Sequence, residues 1–140
     1  MWYVGLDVHQ SFVCVCILNE SGKVVKRMTV RAPWPKTIVE LEKLGRPLAV
    51  CYEASCGYGY LYELLGRVAQ RIVVGHPGQL RLISRSKRKS DRVDAEKLAK
   101  MLYLDMIPAV HVPEVNVRAW RRLINFRQAL IARRTRTKNG

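Results

Sequence analysis

The run Trp2-Tyr3-Val4-Gly5-Leu6-Asp7 decides the fold, because it is apolar without alternation and ends on an acid. A strand with that pattern is buried on both faces, which places it at the centre of a sheet. Residues 12–18 form a second apolar, β-branched run. Asn19-Glu20-Ser21-Gly22 is a turn signal, and residues 24–30 read as a third strand. Three strands joined by short turns predict an antiparallel meander.

Downstream, Pro33-Trp34-Pro35 closes the meander. A short helix follows, with Ile38, Leu41 and Leu44 on one stripe and Gly45 as its stop. Residues 47–53 are strand-like, Tyr58, Leu61, Tyr62, Leu65 and Val68 recur at helical spacing, and residues 71–74 form a short strand before Gly75-His76-Pro77-Gly78. Helical patterns then cover residues 79–83, 91–104 and 118 to the end. The order β-β-β-α-β-α-β-α is a meander followed by strand–helix alternation, and alternation implies parallel strands joined by right-handed crossovers. The expected architecture is a mixed five-stranded sheet flanked by helices, followed by a C-terminal helix. Residues 1–105 are expected to form one domain. Residues 106–117, with Pro108 and Pro113, read as a linker, and 118–140 as the start of a basic helical segment.

Four acids stand out against this topology. Asp7 ends the first strand, and Glu53 ends the fourth, which the topology lays parallel to the first. In sheets with parallel strands, sites form at the carboxyl ends of strands, so both carboxylates open at one edge. Asp91 and Asp94 are three apart at a helix start and project from one helical face. Carboxylates brought this close repel one another unless a cation compensates them. Mg²⁺ or Mn²⁺ suits an all-oxygen site, and a metal pair can stabilise both oxygens of an in-line phosphoryl displacement. Taken singly, each acid has a structural alternative. Asp7 could bond a turn with His9 and Ser11, Glu53 could be a surface charge, Asp91 a helix N-cap and Asp94 a first-turn acid.

The charge points the same way. The chain has 140 residues and a formal net charge of +14. An excess of that size fits a polyanionic partner, because Lys and Arg release counterions on meeting phosphates. The excess is clustered. Arg81, Arg85, Lys87, Arg88, Lys89 and Arg92 crowd one stretch, and the segment from Arg118 carries arginines with no acid among them. Candidate phosphate contacts are Arg85, Lys87, Arg88, Lys89, Arg92, Arg121, Arg122, Arg133 and Arg134. With 49% hydrophobic residues the chain can bury a core. No apolar run is long enough to cross a bilayer and no secretory signal is visible, so a cytoplasmic protein with no membrane partner is expected. No Cys-x-x-Cys pair exists and the three histidines are scattered, so the cysteines are expected as reduced, buried thiols rather than zinc ligands.

Three motifs occur in order: Gly5-Leu6-Asp7-Val8-His9, the strand ending in Glu53 followed by Gly57-Tyr58, and Lys89-Ser90-Asp91-Arg92-Val93-Asp94-Ala95. Together they resemble the N-terminal domain of the DEDD transposases, insertion-sequence recombinases guided by a bridge RNA. The resemblance spans nearly the whole chain. It implies a RuvC-like, ribonuclease-H-like fold, metal binding by Asp7, Glu53, Asp91 and Asp94, and action on DNA together with a guide RNA. Members of the family are longer and carry a second domain that supplies a nucleophilic serine, so further sequence is expected beyond Gly140. They work as oligomers, and residues 118–140 match the start of their helical connector. This chain has Gln10 where a lysine is common in the family.

In the last helix, Ala119, Leu123, Phe126 and Leu130 alternate at four- and three-residue spacing, widened by Trp120, Ile124 and Ile131. That is a packing seam, for which a partner helix, and so a homo-oligomer, is expected. Trp2, Trp34 and the tyrosines are assigned to the core with no nucleic-acid role. Two readings from other classes stand beside the transposase domain. One is a non-catalytic nucleic-acid-binding module with structural acids, the other a nuclease of Holliday-junction-resolvase type. An ATP-binding protein of the actin and sugar-kinase type would need a glycine-rich loop after the first strand, and Val8-His9-Gln10-Ser11 has no glycine.

Overall fold

A computed structural model of the chain describes residues 1–55, 57–83 and 90–139. The chain divides into two compact units, Met1–Val110 and His111–Gly140. The first is built from β1 (Trp2–Val8), β2 (Phe12–Leu18), β3 (Val24–Arg31), α1 (Pro35–Glu42), β4 (Leu48–Glu53), α2 (Tyr58–Leu65), β5 (Arg71–Gly75), α3 (Pro77–Ile83) and α4 (Asp91–Tyr103). The second contains α5 (Val115–Asn139).

The strands form one five-stranded sheet in the order β3-β2-β1-β4-β5, with β1 at its centre as the unbroken apolar run requires. β1 pairs antiparallel with β2 and parallel with β4, and β4 pairs parallel with β5. The sheet is therefore the expected mixed one, and the carboxyl ends of β1, β4 and β5 share an edge. Register sorts the side chains. Gly5 pairs with both Cys16 and Cys51, so these residues and their alternate neighbours Ala49, Cys14 and Asp7 face α4. The opposite face carries Val4, Leu6, Val15, Ile17, Val50 and Tyr52, all buried. There the Tyr52 hydroxyl donates to the Tyr58 carbonyl at 2.6 Å, at the start of α2.

Helix α4 lies against β1 at very short range. A Cβ added to Gly5 would stand 2.1 Å from the Ala95 carbonyl oxygen and 2.5 Å from the Ala99 nitrogen. Only glycine on the strand and alanine on the helix permit that approach. Around the contact, Cys14, Cys16 and Leu18 pack with Ala95 and Ala99, while Ala49, Cys51, Val73 and Leu80 pack with Leu98 and Leu102. The buried Cys51 thiol donates to the Leu98 carbonyl at 3.1 Å, and burial pushes its pKa far up, so it stays a neutral thiol. Cys14, Cys16 and Cys51 are free and buried. At the other end of the helix, Tyr103 meets Tyr3 edge-on with ring centroids 5.2 Å apart.

Two boundaries differ from the sequence expectation. Residues 106–110, read above as linker, are fastened to the outer edge of β5. His76 N donates to Pro108 O and Val110 N to Val74 O, each at 2.8 Å, and Ala109 bridges Gly75. Prolines signal a loop, but a loop that caps a sheet edge belongs to the domain. The last helix begins at Val115 rather than Arg118, its first turn closed by the Arg118 N to Glu114 O bond at 3.0 Å. None of its residues is buried. Trp120, Leu123 and Phe126 keep 67%, 60% and 63% of their surface exposed. Among the described residues, no helix is long and apolar enough to cross a membrane.

Replacing Gly5 with alanine is expected to force α4 off the strand and to cost about 2 kcal/mol or more, the upper range for overpacking a tight core. Urea unfolding measures this. An unchanged midpoint with unchanged slope would contradict the close approach.

Candidate metal centre

The site stands where β1 ends and α4 begins. Asp7 is on the α4 face of β1, one residue beyond the last β1–β4 pair, Leu6 with Tyr52. His9, two residues on, falls on the same side by the period of an extended chain. The first turn of α4 supplies the remaining groups. Ser90 is the helix N-cap: its backbone is extended and its hydroxyl accepts from Val93 N at 3.3 Å. Asp91 is thus not the cap but the first helical residue, and its carboxylate is left for other partners. Asp91 and Asp94 both sit in the first turn, where the helix dipole favours negative charge.

Three of these side chains converge. His9 Nε2 lies 3.0 Å from Asp7 Oδ2 and 3.6 Å from Asp91 Oδ1. One ligand atom from each of Asp7, His9 and Asp91 falls within 4.8 Å of the other two. Asp94 stands further along the helix and pairs with Lys97 at 3.3 Å, yet its charge still acts on Asp7. Glu53 ends β4 on the same face of the sheet, in line with Asp7 by register, but it is not in the cluster. Burial holds the Asp7 carboxyl above the ordinary aspartate range. Asp91 and Asp94 push it the same way, against the hydrogen bond and charge of His9.

The sequence reading assigns His9 no ligand role, although the strand period places it beside Asp7. Its ring is well fixed. It stacks on Phe12 with centroids 4.5 Å apart and planes at 27°, and its backbone N donates to Phe12 O at 2.9 Å. The expected all-oxygen set is therefore joined by an imidazole standing between two carboxylates. Two hard oxygen donors, one nitrogen and a third acid one turn away suit a divalent cation that accepts both donor types.

Of the candidate phosphate contacts, Arg85, Lys87, Arg88 and Lys89 lie outside the described residues. Arg92 follows Asp91 on α4, is exposed, and lines a cavity of about 160 Å³ with Cys14, Val15, Arg27, Met28 and Thr29. Arg121, Arg122, Arg133 and Arg134 are exposed on α5.

A mixed sheet in this order, with an acidic cluster at the carboxyl end of its central strand, defines a protein of RuvC-like, ribonuclease-H-like fold. The solved structure of T. thermophilus RuvC in complex with Holliday junction substrate superposes with a TM-score of 0.52 at 13% identity, over 79% of this chain and 99% of that one. The family DEDD_Tnp_IS110, described as Transposase, matches residues 4–140, and the chain belongs to it. A relative, the transposase for insertion sequence element IS1533 of Leptospira borgpetersenii, is 28% identical over 104 residues. That match covers 71% of this chain and 30% of the relative.

The raised pKa of Asp7 sets a stability test. A carboxyl whose folded pKa lies above its unfolded one favours the fold fully below the unfolded value, near 3.8, and loses that contribution as pH rises through the folded value. At neutral pH the metal-free protein therefore carries the cost of an ionised Asp7. Asp7→Asn should melt at the same or a higher temperature than wild type in chelator. Mn²⁺ at a hundredfold excess over its dissociation constant should stabilise the wild type by about 2.7 kcal/mol and the variant hardly at all. A variant destabilised in both conditions, with a wild type indifferent to Mn²⁺, would make Asp7 a structural residue.

Proposed function

We propose that this chain is the metal-binding catalytic domain of a transposase that cuts and rejoins DNA phosphodiester bonds, with Mg²⁺ or Mn²⁺ held by Asp7, Asp91, Asp94 and Glu53 and by His9 beside them. The observation that carries the reading is the convergence of Asp7, His9 and Asp91 at the edge where β1 meets α4. Bound there, a divalent ion would supply Lewis acidity at a phosphoryl oxygen and compensate the carboxylates. The chain's own residues hold the donors in place. α4 carries Asp91 and Asp94 rigidly, Phe12 fixes the His9 ring, and Ser90 takes the capping duty that would otherwise occupy Asp91.

Membership of the transposase family supports DNA as the substrate, and the +14 charge supports a polyanion of some kind. Arg92 stands next to the cluster. Arg85, Lys87, Arg88 and Lys89 precede the same helix in the chain, and Arg121, Arg122, Arg133 and Arg134 are exposed on α5. We assign these residues to phosphates of the bound strand, which position it without reading sequence. In a longer protein, a guide RNA would be a second polyanion for these basic residues. The exposed seam of Leu123, Phe126 and Leu130 on α5 suits a partner helix of a second copy. Burying that seam would offset the cost of leaving large apolar side chains in water.

DNA binding separates a metal centre from structural acids. The wild type should bind DNA with affinity that falls steeply as monovalent salt rises, and replacing Arg85, Lys87, Arg88 and Lys89 should weaken it for all sequences alike. Ca²⁺ or Mn²⁺ at fixed ionic strength should strengthen wild-type binding, because a cation bridges phosphate to carboxylates that otherwise repel it. With Asp7→Asn and Asp91→Asn combined, metal-free binding should equal or exceed wild type and the cation should add nothing. Divalent ions that weaken wild-type binding as ordinary salt does would contradict the metal centre.

A further inference from the structure

Next to His9 stand aromatic rings that are not fully taken up by the core. Trp34 Nε1 donates to the His9 carbonyl at 3.1 Å, which ties the indole to the residue that bridges Asp7 and Asp91. The indole is seated on Gly57, where an added Cβ would stand 2.9 Å from its outer ring atom. Gly57 also has φ +80°, a conformation that a side chain would strain. Tyr60, in the first turn of α2, lies beside Trp34 with centroids 6.3 Å apart and planes at 28°, within the range of offset stacking. It is 48% exposed, while α2 buries Leu61, Leu64 and Leu65 instead. On the other side of His9 its ring stacks on Phe12. Trp34 and Tyr60 thus adjoin the residue that bridges Asp7 and Asp91, while Phe12 also packs against the core. The sequence assigns Trp34 and the tyrosines to the core, but Trp34 is only half-buried and bonds the site's own backbone, and Tyr60 beside it is exposed.

We propose that the Trp34–Tyr60 ledge is a stacking platform for an unpaired nucleobase of the strand whose phosphate lies at the acidic cluster. The inference rests on the reading of that cluster as a phosphodiester site and adds to it what lies beside the phosphate. A nucleotide held by its phosphate between Asp7 and Asp91 must put a base within one nucleotide's length of His9, and the ledge begins at the His9 carbonyl. Aromatic faces accept any base, because every base has a π-face, so the platform would favour single-stranded or splayed DNA without selecting sequence. A base in a duplex is already stacked on its neighbours and gains nothing from the ledge. Fixed ring orientation matters here, since a platform held by the Nε1 bond and the Gly57 seat has little side-chain entropy left to lose on binding.

The test uses this chain, a short labelled oligothymidylate, and a strand of equal length and charge made wholly of abasic sites. Tyr60→Ala should weaken oligothymidylate binding about tenfold, the effect of losing one stacked base. It should leave abasic-strand binding and the salt dependence of both strands unchanged, because the phosphate contacts are intact. Tyr60→Phe keeps the ring and should bind both strands like wild type, and circular dichroism melts should superpose for all three proteins. Equal loss on both strands, or no loss on either, would overturn the platform while leaving the phosphate site standing. A wild type that binds neither strand would overturn the phosphate site and the platform together.

Discussion

Everything in the first unit depends on how closely α4 can lie against β1. The helix backbone touches the strand backbone at Gly5, and no side chain larger than hydrogen fits between Gly5 and the Ala95 carbonyl. Two small residues of the helix, Ala95 and Ala99, complete the contact, and the larger Leu98 and Leu102 fill the flank over β4. The contact fixes the height of the helix above the sheet as well as its position along the strand. A helix held one side chain higher would carry its first turn away from the end of β1.

The site is the consequence. Because Ala95 lies over Gly5, the turn before it stands over Asp7, and Asp91 arrives 3.6 Å from His9. The electrostatics of the cluster are unfavourable by themselves. Asp7 is partly desolvated and faces two further aspartates, and its raised pKa registers that cost. Packing at Gly5 and the chain of bonds through His9 and Phe12 hold the acids together against their repulsion. Like charges gathered in this way would be compensated by the cation proposed for the site.

Much of this is legible in the sequence, and the parts that are not share a reason. The unalternating run to Asp7 marks β1 as central, and the strand–helix order then places Glu53 on the neighbouring parallel strand. The pair Asp91 and Asp94 follows from helical spacing. Each of these inferences uses periodicity within an element or the connection between elements. His9 is missed because it lies just past the end of a strand, where alternation still applies but the pattern has stopped. Ser90, rather than Asp91, caps α4, a choice between adjacent good caps that only backbone geometry makes. Residues 106–110 look like a linker because prolines exclude helix, whereas their partner, the β5 edge, is distant in sequence. Trp34 looks like core because aromatic residues generally are, and its hydrogen bond to His9 spans 25 positions. Glu53 remains the acid whose place rests on register rather than on contact with the cluster.

The central claim is that the end of β1 and the first turn of α4 jointly hold a divalent cation. Titrating Mn²⁺ into isotopically labelled protein and following amide resonances tests it directly, since a bound paramagnetic ion broadens the signals nearest to it. A cation held there gives saturable broadening centred on residues 7–9 and 91–94, with Gly22 and Gly45 at the far end of the sheet unaffected. Broadening that fails to saturate, or that centres away from those two segments, would contradict it.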